Sequence, residues 1–481
     1  MKSALALGSG VFSSCDHSTT DFEENNKRPN ILLLLADDQS SNTLGCTGHP
    51  FVQTPNIDKL AAEGCLFENT FVTSPICAAS RASIFTGLHE RTHQYTFRKE
   101  PLEAKHSLMS YPSLLKKGNY TTGFIGKFGV RSDLNIIESS FDYFKAIPRK
   151  PYFHTLQNGQ IVHETKAAAF YAKDFISKAE REDKPFCLSV SFNAPHAADS
   201  QKVERPFPPT SETEGMYDNF EVPQPKISER QSFKNLPGFL KTSLNRIRYF
   251  WRWGTTKEYE QNMRDYLSMI TGIDMAIGDI LNHLESLNLR ENTVVIYSAD
   301  NGFYMGERGF AGKWSHFDEA LQVPLIISDP RVGIELQGIK SSNMVLNIDI
   351  CPTILDYANI ESRQDCSGRS LKPLLQGNSR DKWRSDFLCE HLMNDKDIPK
   401  WEGIREDSFS YFRYFEQSPQ FEFLYDMRSD SKQLNNLGTD PKYSFELNRL
   451  RARCDELIRN KSYKKTEHDI TNVGPHQCTL G

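Results

Sequence analysis

The sequence lacks the patterns that mark several large classes of protein. Its ten cysteines include no Cys-x-x-Cys pair, which argues against a zinc site, and they are too few for a dense disulfide scaffold. No apolar run beyond the N-terminus approaches the roughly 20 residues of a membrane-spanning helix. The net charge of −5 gives no basic excess, so we expect no nucleic-acid partner. What remains is a globular protein whose 481 residues suffice for one large domain and a smaller one.

The N-terminus carries a weakly apolar stretch. Lys2 precedes residues 3–12, which are followed by Cys15 and a polar segment. This arrangement resembles a bacterial lipoprotein signal with Cys15 as the lipid-anchored residue. We predict that residues 1–28 are a leader and that the protein is exported to the periplasm or held as an outer-membrane lipoprotein of a bacterium. A plain disordered tail is the alternative.

Apolar runs alternate with segments of helical character along most of the chain. Residues 30–36 are a continuous apolar run, as expected of a central strand covered on both faces. Residues 263–287 carry apolar side chains at helical spacing. Shorter apolar runs follow the first at 121–125, 186–192, 294–297 and 324–327. The alternation predicts an α/β fold with a mostly parallel central sheet flanked by helices.

Changes in composition predict the domain boundaries. We assign residues 29–370 to the large domain, with a Pro-rich, mixed-charge insertion at about 199–257. Residues 371–481 are predicted to form a smaller C-terminal α+β subdomain. It would contain a short antiparallel sheet and a closing helix at about 444–458.

Polar side chains directly follow several predicted strands. They are two pairs and two single residues, namely Asp37, Asp38, Lys127, His196, Asp300 and Asn301. Ligands of parallel sheets bind beyond the carboxyl ends of the strands, so we expect these side chains to meet at one edge. Adjacent carboxylates are usually a solvated turn, but several close together need a compensating cation. The all-oxygen set Asp37, Asp38, Asp300 and Asn301 therefore favours a hard divalent cation.

A short segment around Cys77 carries the strongest chemical signal. A lone cysteine is usually a small buried apolar residue, and a lone arginine is usually a surface charge. Here Cys77 and Arg81 are four residues apart at the start of a predicted helix, so they share one face. The helix start also offers backbone N–H groups to an anion. Lys313, at the end of a glycine-rich stretch, is a further cationic candidate beside Lys127 and His196.

Taken in order along the chain, these motifs resemble those of the type I, formylglycine-dependent sulfatases. Cys77 is followed two residues later by Ala79 and four later by Arg81, which is the family's modification signature. The similarity covers nearly the whole chain after the leader. It implies an alkaline-phosphatase-like fold and an enzyme similar to bacterial polysaccharide sulfatases and arylsulfatases. Such an enzyme would here release inorganic sulfate from a sulfated saccharide.

The resemblance also implies roles for individual residues. Arg81 would hold the formylglycine hydrate, the matured form of Cys77. Lys127 and Lys313 would bind sulfate oxygens, and His196 would bind sulfate or protonate the leaving oxygen. The metal, Ca²⁺ in preference to Mg²⁺, would be held by Asp37, Asp38, Cys77, Asp300 and Asn301.

Two positions depart from the family pattern. Gly129 stands where a histidine is common, and His93 or His316 are the candidates to replace it. Ala79 stands where proline is commoner, which favours the radical type of formylglycine-generating maturation enzyme over the oxygen-dependent type.

Substrate identity is less well determined by the sequence. Cations and aromatic residues alternate between residues 239 and 253, and they fit either a saccharide-binding surface or an amphipathic helix packed on the domain. The cations are Lys241, Arg246, Arg248 and Arg252. His391 and Arg405 are further candidates for substrate binding. The alternatives to a sulfate-ester hydrolase are a phosphoester or phosphonate-ester hydrolase, an N-sulfatase, and a noncatalytic carbohydrate-binding protein.

Overall fold

The computed structural model describes residues 28–461, except 157, 200–202, 226, 229–231 and 378–382. Its centre is an eight-stranded sheet in which only the strand Leu325–Ser328 runs antiparallel to its neighbours. In spatial order the strands are Ile339–Ser341, Cys65–Phe67, Leu325–Ser328, Thr293–Ala299, Asn30–Ala36, Phe186–Ser191, Thr121–Gly126 and Tyr143–Ala146. The predicted α/β fold with a mostly parallel sheet is confirmed.

A second, four-stranded antiparallel sheet lies in the C-terminal part of the chain. Its strands are Asp386–His391, Trp401–Glu406, Phe409–Tyr414 and Phe421–Asp426, and the helix Ser444–Lys461 packs on it. Three short strand pairs complete the described sheets: Thr70–Phe71 with Val345–Leu346, Phe153–Thr155 with Ile161–His163, and Tyr304–Met305 with Ala311–Gly312. The C-terminal antiparallel sheet is confirmed, while the boundary at 370/371 stays a prediction.

Helices cover both faces of the central sheet. The described α-helices are Pro55–Ala62, Cys77–Thr86, Glu90–His93, Ala104–Ser107, Tyr111–Lys117, Ile136–Ser139, Glu164–Ala179, Gly238–Lys241, Leu244–Arg252, Thr256–Ser286, Asp318–Leu321, Ile350–Tyr357, Lys372–Leu375 and Ser444–Lys461. Thr256–Ser286 begins with a capping box, in which Thr255 accepts from the Glu258 N–H and Glu258 accepts from the Thr255 N–H. Nowhere in the described part of the chain is a helix both long enough and apolar enough to cross a membrane.

The central strand Asn30–Ala36 is covered by core residues on both faces of the sheet. All seven residues are buried, and alternate side chains enter two different cores. Leu32 and Leu34 belong to the core on one face, whereas Leu33 and Leu35 belong to the core on the other. Because both faces of the strand are covered, its side chains form an unbroken apolar run in the sequence.

Backbone hydrogen bonds tie neighbouring strand ends together. The N–H of Asp37 donates to the carbonyl of Ala194 at 3.1 Å, and the N–H of Asp300 donates to the carbonyl of Ala36 at the same distance. The residues that follow three adjacent strands are thereby held at one edge, where the sequence predicted a site.

Two predictions on the N-terminus fall on residues outside the described range. These are the leader at 1–28, of which only residue 28 is described, and the lipid anchor at Cys15. The eight described cysteines are all free thiols.

Candidate active site

Cys77 is the first residue of the helix Cys77–Thr86. All ten residues of this helix are buried, and Cys77 itself is 5% exposed. Gly87 ends the helix in the left-handed conformation, at φ +70°, and its N–H donates to the Ser83 carbonyl at 2.8 Å. The thiol thus lies at a helix N-terminus, where unpaired backbone N–H groups favour an anion.

Arg81 lies one helical turn after Cys77 and joins three strand ends. Its Nε donates to Asp300 Oδ2 at 2.8 Å, and its Nη1 donates to the Lys127 carbonyl at 2.7 Å and to Ser191 Oγ at 2.5 Å. Burial alone would lower the pKa of Arg81, but the charge of Asp300 raises it above its ordinary value. Arg81 is therefore a buried, permanently charged group that is held by hydrogen bonds to all three strand ends.

The acidic residues form one buried cluster. One oxygen each of Asp37 and Asp300 lies within 4.8 Å of the other and of the Cys77 Sγ, and the same limit holds for Asp37, Asp38 and His196. Asn301 Nδ2 donates to Asp38 Oδ1 at 2.7 Å. The sequence-predicted metal ligands are thus adjacent in the fold.

Two acceptor atoms in this cluster test whether a cation fits it. Asp37 Oδ1 and Asn301 Oδ1 are buried, and neither has a hydrogen-bond partner among the described residues. A buried acceptor without a donor is costly, and a divalent cation with oxygen ligands would satisfy both atoms. These oxygen atoms are therefore suitable ligands for a hard cation.

Basic side chains balance the carboxylates. Lys127 Nζ pairs with Asp37, and Lys313 Nζ pairs with Asp38. Burial would raise the pKa of Asp37, but the charges of Lys127, Arg81 and Lys313 hold it well below its usual range. Burial, followed by the charge of Asp37, raises the pKa of Asp300 to about 6. The site thus holds carboxylates and cations in direct contact. A bound cation would compete for the carboxylates, and a bound anion would compete for the lysines.

His196 lies beside the acidic cluster. Its Nε2 is 3.3 Å from Asp38 Oδ2, and Arg149 Nη1 is 2.8 Å from its ring nitrogens. Burial and the neighbouring charge of Arg149 lower the pKa of His196 well below its ordinary value. The imidazole is therefore neutral near pH 7 before any substrate binds.

A cavity of about 780 Å³ opens onto these residues. Cys77, Lys127, His196 and Lys313 line it, as do groups that the sequence analysis did not select for the site: Phe97, Arg98, Arg149, Asp199, Trp314 and Asp395. Arg149 and Asp199 follow strand ends, so the strand-end rule would have found them if it had been extended a few residues further into each loop.

Two predicted substrate-binding residues do not reach the cavity. His391 is fully buried in the strand Asp386–His391, and Arg405 pairs with Asp318 at 3.1 Å from the strand Trp401–Glu406. Neither is among the residues that line the cavity. Their register in the antiparallel sheet decides this, and the sequence gives no signal of it.

The candidates to replace the missing histidine are also elsewhere. His93 Nε2 bonds with Ser83 Oγ at 3.1 Å, and His316 Nδ1 bonds with Tyr414 Oη at 2.8 Å within an aromatic cluster. Neither lines the cavity. Gly129 has φ +74°, and a Cβ built on it would lie 2.9 Å from Arg81 Cδ, so the position has no room for a side chain.

We expect Gly129→Ala to lower both stability and turnover. The left-handed backbone disfavours a Cβ, and Arg81 is too tightly bonded to move aside, so the free energy of unfolding should fall by about 1–3 kcal/mol. Urea unfolding measures this loss. Gly48→Ala is the matched control, because Gly48 has φ +86° with nothing within 4 Å of a built Cβ. Gly48→Ala should lose stability through backbone strain alone and keep its turnover. Equal turnover in the two variants would contradict the role of Arg81 in holding the site residues in place.

Comparisons with known proteins extend these observations. The family model described as Sulfatase matches residues 29–360, and one described as N-sulphoglucosamine sulphohydrolase, C-terminal, matches residues 306–460. The chain is 27% identical to an N-acetylglucosamine-6-O-sulfatase of Bacteroides thetaiotaomicron, with 93% of this chain and 89% of that protein covered.

Solved structures share the fold at lower identity. One protein, in complex with its substrate D-glucosamine-2-N,6-O-disulfate, is 24% identical with a TM-score of 0.75, covering 90% of this chain and 98% of that chain. A phosphonate monoester hydrolase of Agrobacterium radiobacter is 22% identical with a TM-score of 0.69, covering 90% of this chain and 96% of that one. At these identities the likeness concerns the fold, and it agrees with the predicted alkaline-phosphatase-like arrangement.

Proposed function

Because the chain belongs to the sulfatase family, we propose that it releases inorganic sulfate from a sulfated saccharide by means of a formylglycine made from Cys77 and a bound divalent cation. One observation carries the proposal. A buried cysteine at a helix start shares a 4.8 Å cluster with carboxylates from two strand ends. A buried structural cysteine behaves as a small apolar residue, so it would be expected to pack among apolar side chains and not beside carboxylates.

The metal proposal assigns the cation to Asp37, Asp38, Asp300 and Asn301, with the matured Cys77 side chain as a further ligand. All four protein ligands offer oxygen, and we propose Ca²⁺ in preference to Mg²⁺ for an exported enzyme. When bound, the cation would polarise a sulfate oxygen and offset the charge that develops on it. Formylglycine would supply a hydrated aldehyde as the nucleophile, which an unmodified thiol does not.

The chain's own residues hold and orient the sulfate. Lys127 and Lys313 both line the cavity as cations paired with carboxylates, so each can turn an N–H toward a sulfate oxygen. Burial would lower the pKa of Lys313, but the charge of Asp38 raises it above the ordinary value, so Lys313 stays protonated. Its role is therefore to bind charge, because a group with so high a pKa is a poor proton donor.

His196 is the better proton donor to the leaving oxygen. Its pKa is low in the free site because of burial and Arg149, but a sulfate bound beside the ring would favour the protonated form. The imidazolium that results would give up its proton readily as the sugar oxygen departs.

The proposal is tested by measuring inorganic sulfate released from a panel of sulfated mono- and oligosaccharides. The panel should include an N-sulfated sugar and a phosphonate ester, because a family match and a fold neighbour are described by those chemistries. A phosphate ester, with inorganic phosphate as the measured product, tests the remaining hydrolase alternative. The protein is produced with a radical-type formylglycine-generating enzyme, which Ala79 favours, and the aldehyde is confirmed by peptide mass. Protein produced without that enzyme is the control.

We expect sulfate release only from the aldehyde-containing protein. Release of phosphate or phosphonate alone would reassign the chemistry within the same fold. Saccharide binding without turnover, by protein whose aldehyde is confirmed, would replace the enzyme proposal with that of a carbohydrate-binding protein.

We further propose that the enzyme is exported, with Cys15 as its lipid-bearing residue. The support is the leader-like composition of residues 1–28, and export would place the enzyme where sulfated polysaccharides are found.

A further inference from the structure

Three arginines converge on one carboxylate at the side of the cavity. Arg149 Nη2 lies 2.8 Å from Asp199 Oδ2, while Arg248 Nη1 and Arg252 Nη2 lie 2.8 and 3.1 Å from Asp199 Oδ1. We call these four residues the arginine cluster. The arginines come from the loop after the strand Tyr143–Ala146 and from the helix Leu244–Arg252, so the cluster joins distant parts of the sequence.

The arginine cluster carries more positive charge than its own carboxylate balances. Three buried nitrogen donors of these arginines have no acceptor among the described residues: Arg149 Nε, Arg248 Nε and Arg252 Nη1. Burial, followed by the charge of Arg248, lowers the pKa of Arg252 to about 10, as expected where like charges are crowded. Such an excess beside an open cavity attracts an anion.

Three members of the arginine cluster line the cavity, and the fourth is buried behind them. Arg149, Asp199 and Arg248 line the cavity, and their side chains are 22%, 27% and 14% exposed. Arg252 is 2% exposed and lies behind them. Arg149 and Arg248 can therefore contact a ligand directly, whereas Arg252 holds Asp199 in place.

The arginine cluster is adjacent to the proposed sulfate-binding residues on two sides. Arg149 also contacts His196 at 2.8 Å, and His196 in turn lies 3.3 Å from Asp38. On the other side the guanidinium of Arg248 stacks 4.8 Å from the ring centroid of Trp314, the residue after Lys313. Stacking fixes the plane of the guanidinium and leaves its N–H edge for hydrogen bonds.

We propose that Arg149 and Arg248 bind a second anionic group of the substrate, so that the preferred saccharide carries a sulfate or carboxylate in addition to the sulfate that is released. Planar guanidinium groups recognise either oxyanion through paired N–H bonds, which makes the two chemistries equivalent at this point. The proposal rests on the proposed function for the position of the reacting sulfate. It makes the arginine cluster a determinant of substrate specificity.

Three matched probes test the second-anion site. They are N-acetylglucosamine 6-sulfate with one anion, glucosamine 2-N,6-O-disulfate with a second sulfate, and a uronate-linked disaccharide with one 6-sulfate. We expect kcat/KM for one or both dianionic probes to exceed that for the monoanion by about 10- to 100-fold, as one charge-assisted contact allows. Which of the two is preferred separates sulfate from carboxylate.

Arg248→Gln should remove most of this preference, lowering kcat/KM for the preferred dianionic probe about 10- to 100-fold and for the monoanion much less. Arg246→Gln is the matched control on the same helix; Arg246 donates to the Gly309 carbonyl at 3.0 Å and is not among the cavity-lining residues. The control should keep the preference. Equal use of all three probes, or an equal loss on all three in Arg248→Gln, would show that the arginine cluster is only structural.

A binding measurement separates this inference from the proposed reaction. Calorimetry with Cys77→Ala protein compares the three probes without turnover, and Cys77→Ala/Arg248→Gln repeats the comparison. Stronger binding of a dianionic probe that is lost in the double variant supports the second-anion site even where no sulfate is released. Equal binding of all probes, or binding of none, would overturn it, whatever the activity assay shows.

Discussion

Replacing Cys77 by alanine should abolish the proposed sulfate release, with an expected loss of at least about 10⁴-fold in kcat. Alanine has no sulfur for the proposed maturation enzyme to convert, so no formylglycine nucleophile would form. The fold should persist, since alanine buries no new polar group at the helix start. The measurement is inorganic sulfate release together with thermal unfolding of the same preparation.

The matched control for this prediction is Cys351→Ala. Cys351 is also a buried cysteine in a helix, Ile350–Tyr357, but it does not line the cavity. It should keep its turnover and lose some stability through the small void that it creates. Residual turnover in Cys77→Ala above that of protein without formylglycine would mean that another group attacks the ester.

Removing the Asp37 carboxylate should abolish binding of the proposed divalent cation. Asp37→Asn keeps the shape of the side chain but deletes one ligand charge, so the rise in unfolding temperature that we expect Ca²⁺ to give the parent should largely disappear. For the parent, a calcium concentration of 100 times Kd corresponds to about 2.7 kcal/mol of added stability. Turnover should fall by roughly 100-fold or more, as for loss of a group that orients a catalytic metal.

The measurement for Asp37→Asn is the difference between the unfolding temperature with Ca²⁺ and that with a chelator. The difference is needed because loss of the Lys127 partner will also change the stability of the metal-free protein. Asp174→Asn is the control: Asp174 pairs with Lys178 on an exposed helix face and should leave the calcium effect unchanged. Repeating the titration with Mg²⁺ compares the two ions. A parent protein that no divalent cation stabilises would refute the metal site.

Much of the site was predictable because it follows from a few local rules. An apolar run at 30–36 ending in two aspartates identifies a central strand and its carboxyl end, and residues after other strands must arrive at the same edge. Cys77 and Arg81 share a helix face by spacing alone. The structure brings all of these together, with Arg81 bonded to Asp300 and Lys127 paired with Asp37.

What the sequence could not decide depends on contacts between distant segments. His391 and Arg405 had side chains suited to a substrate, but the register of the C-terminal sheet places them away from the cavity. Gly129 appeared as a missing histidine, and only the position of Arg81 shows why a side chain is excluded there.

The sequence by itself predicted which groups meet, because the strand ends and the helical spacing of Cys77 and Arg81 bring them to one edge of the sheet, and the resemblance to the sulfatases implied the chemistry. The tertiary structure decided how the arginine cluster comes together. Arg149 and Asp199 lie in loops that follow strand ends, but Arg248 lies in the helix Leu244–Arg252, and no spacing in the sequence relates it to them. Their convergence depends on how the helix Leu244–Arg252 packs against the strand Ala311–Gly312 and the helix Thr256–Ser286, and such contacts between distant segments form only in the folded chain.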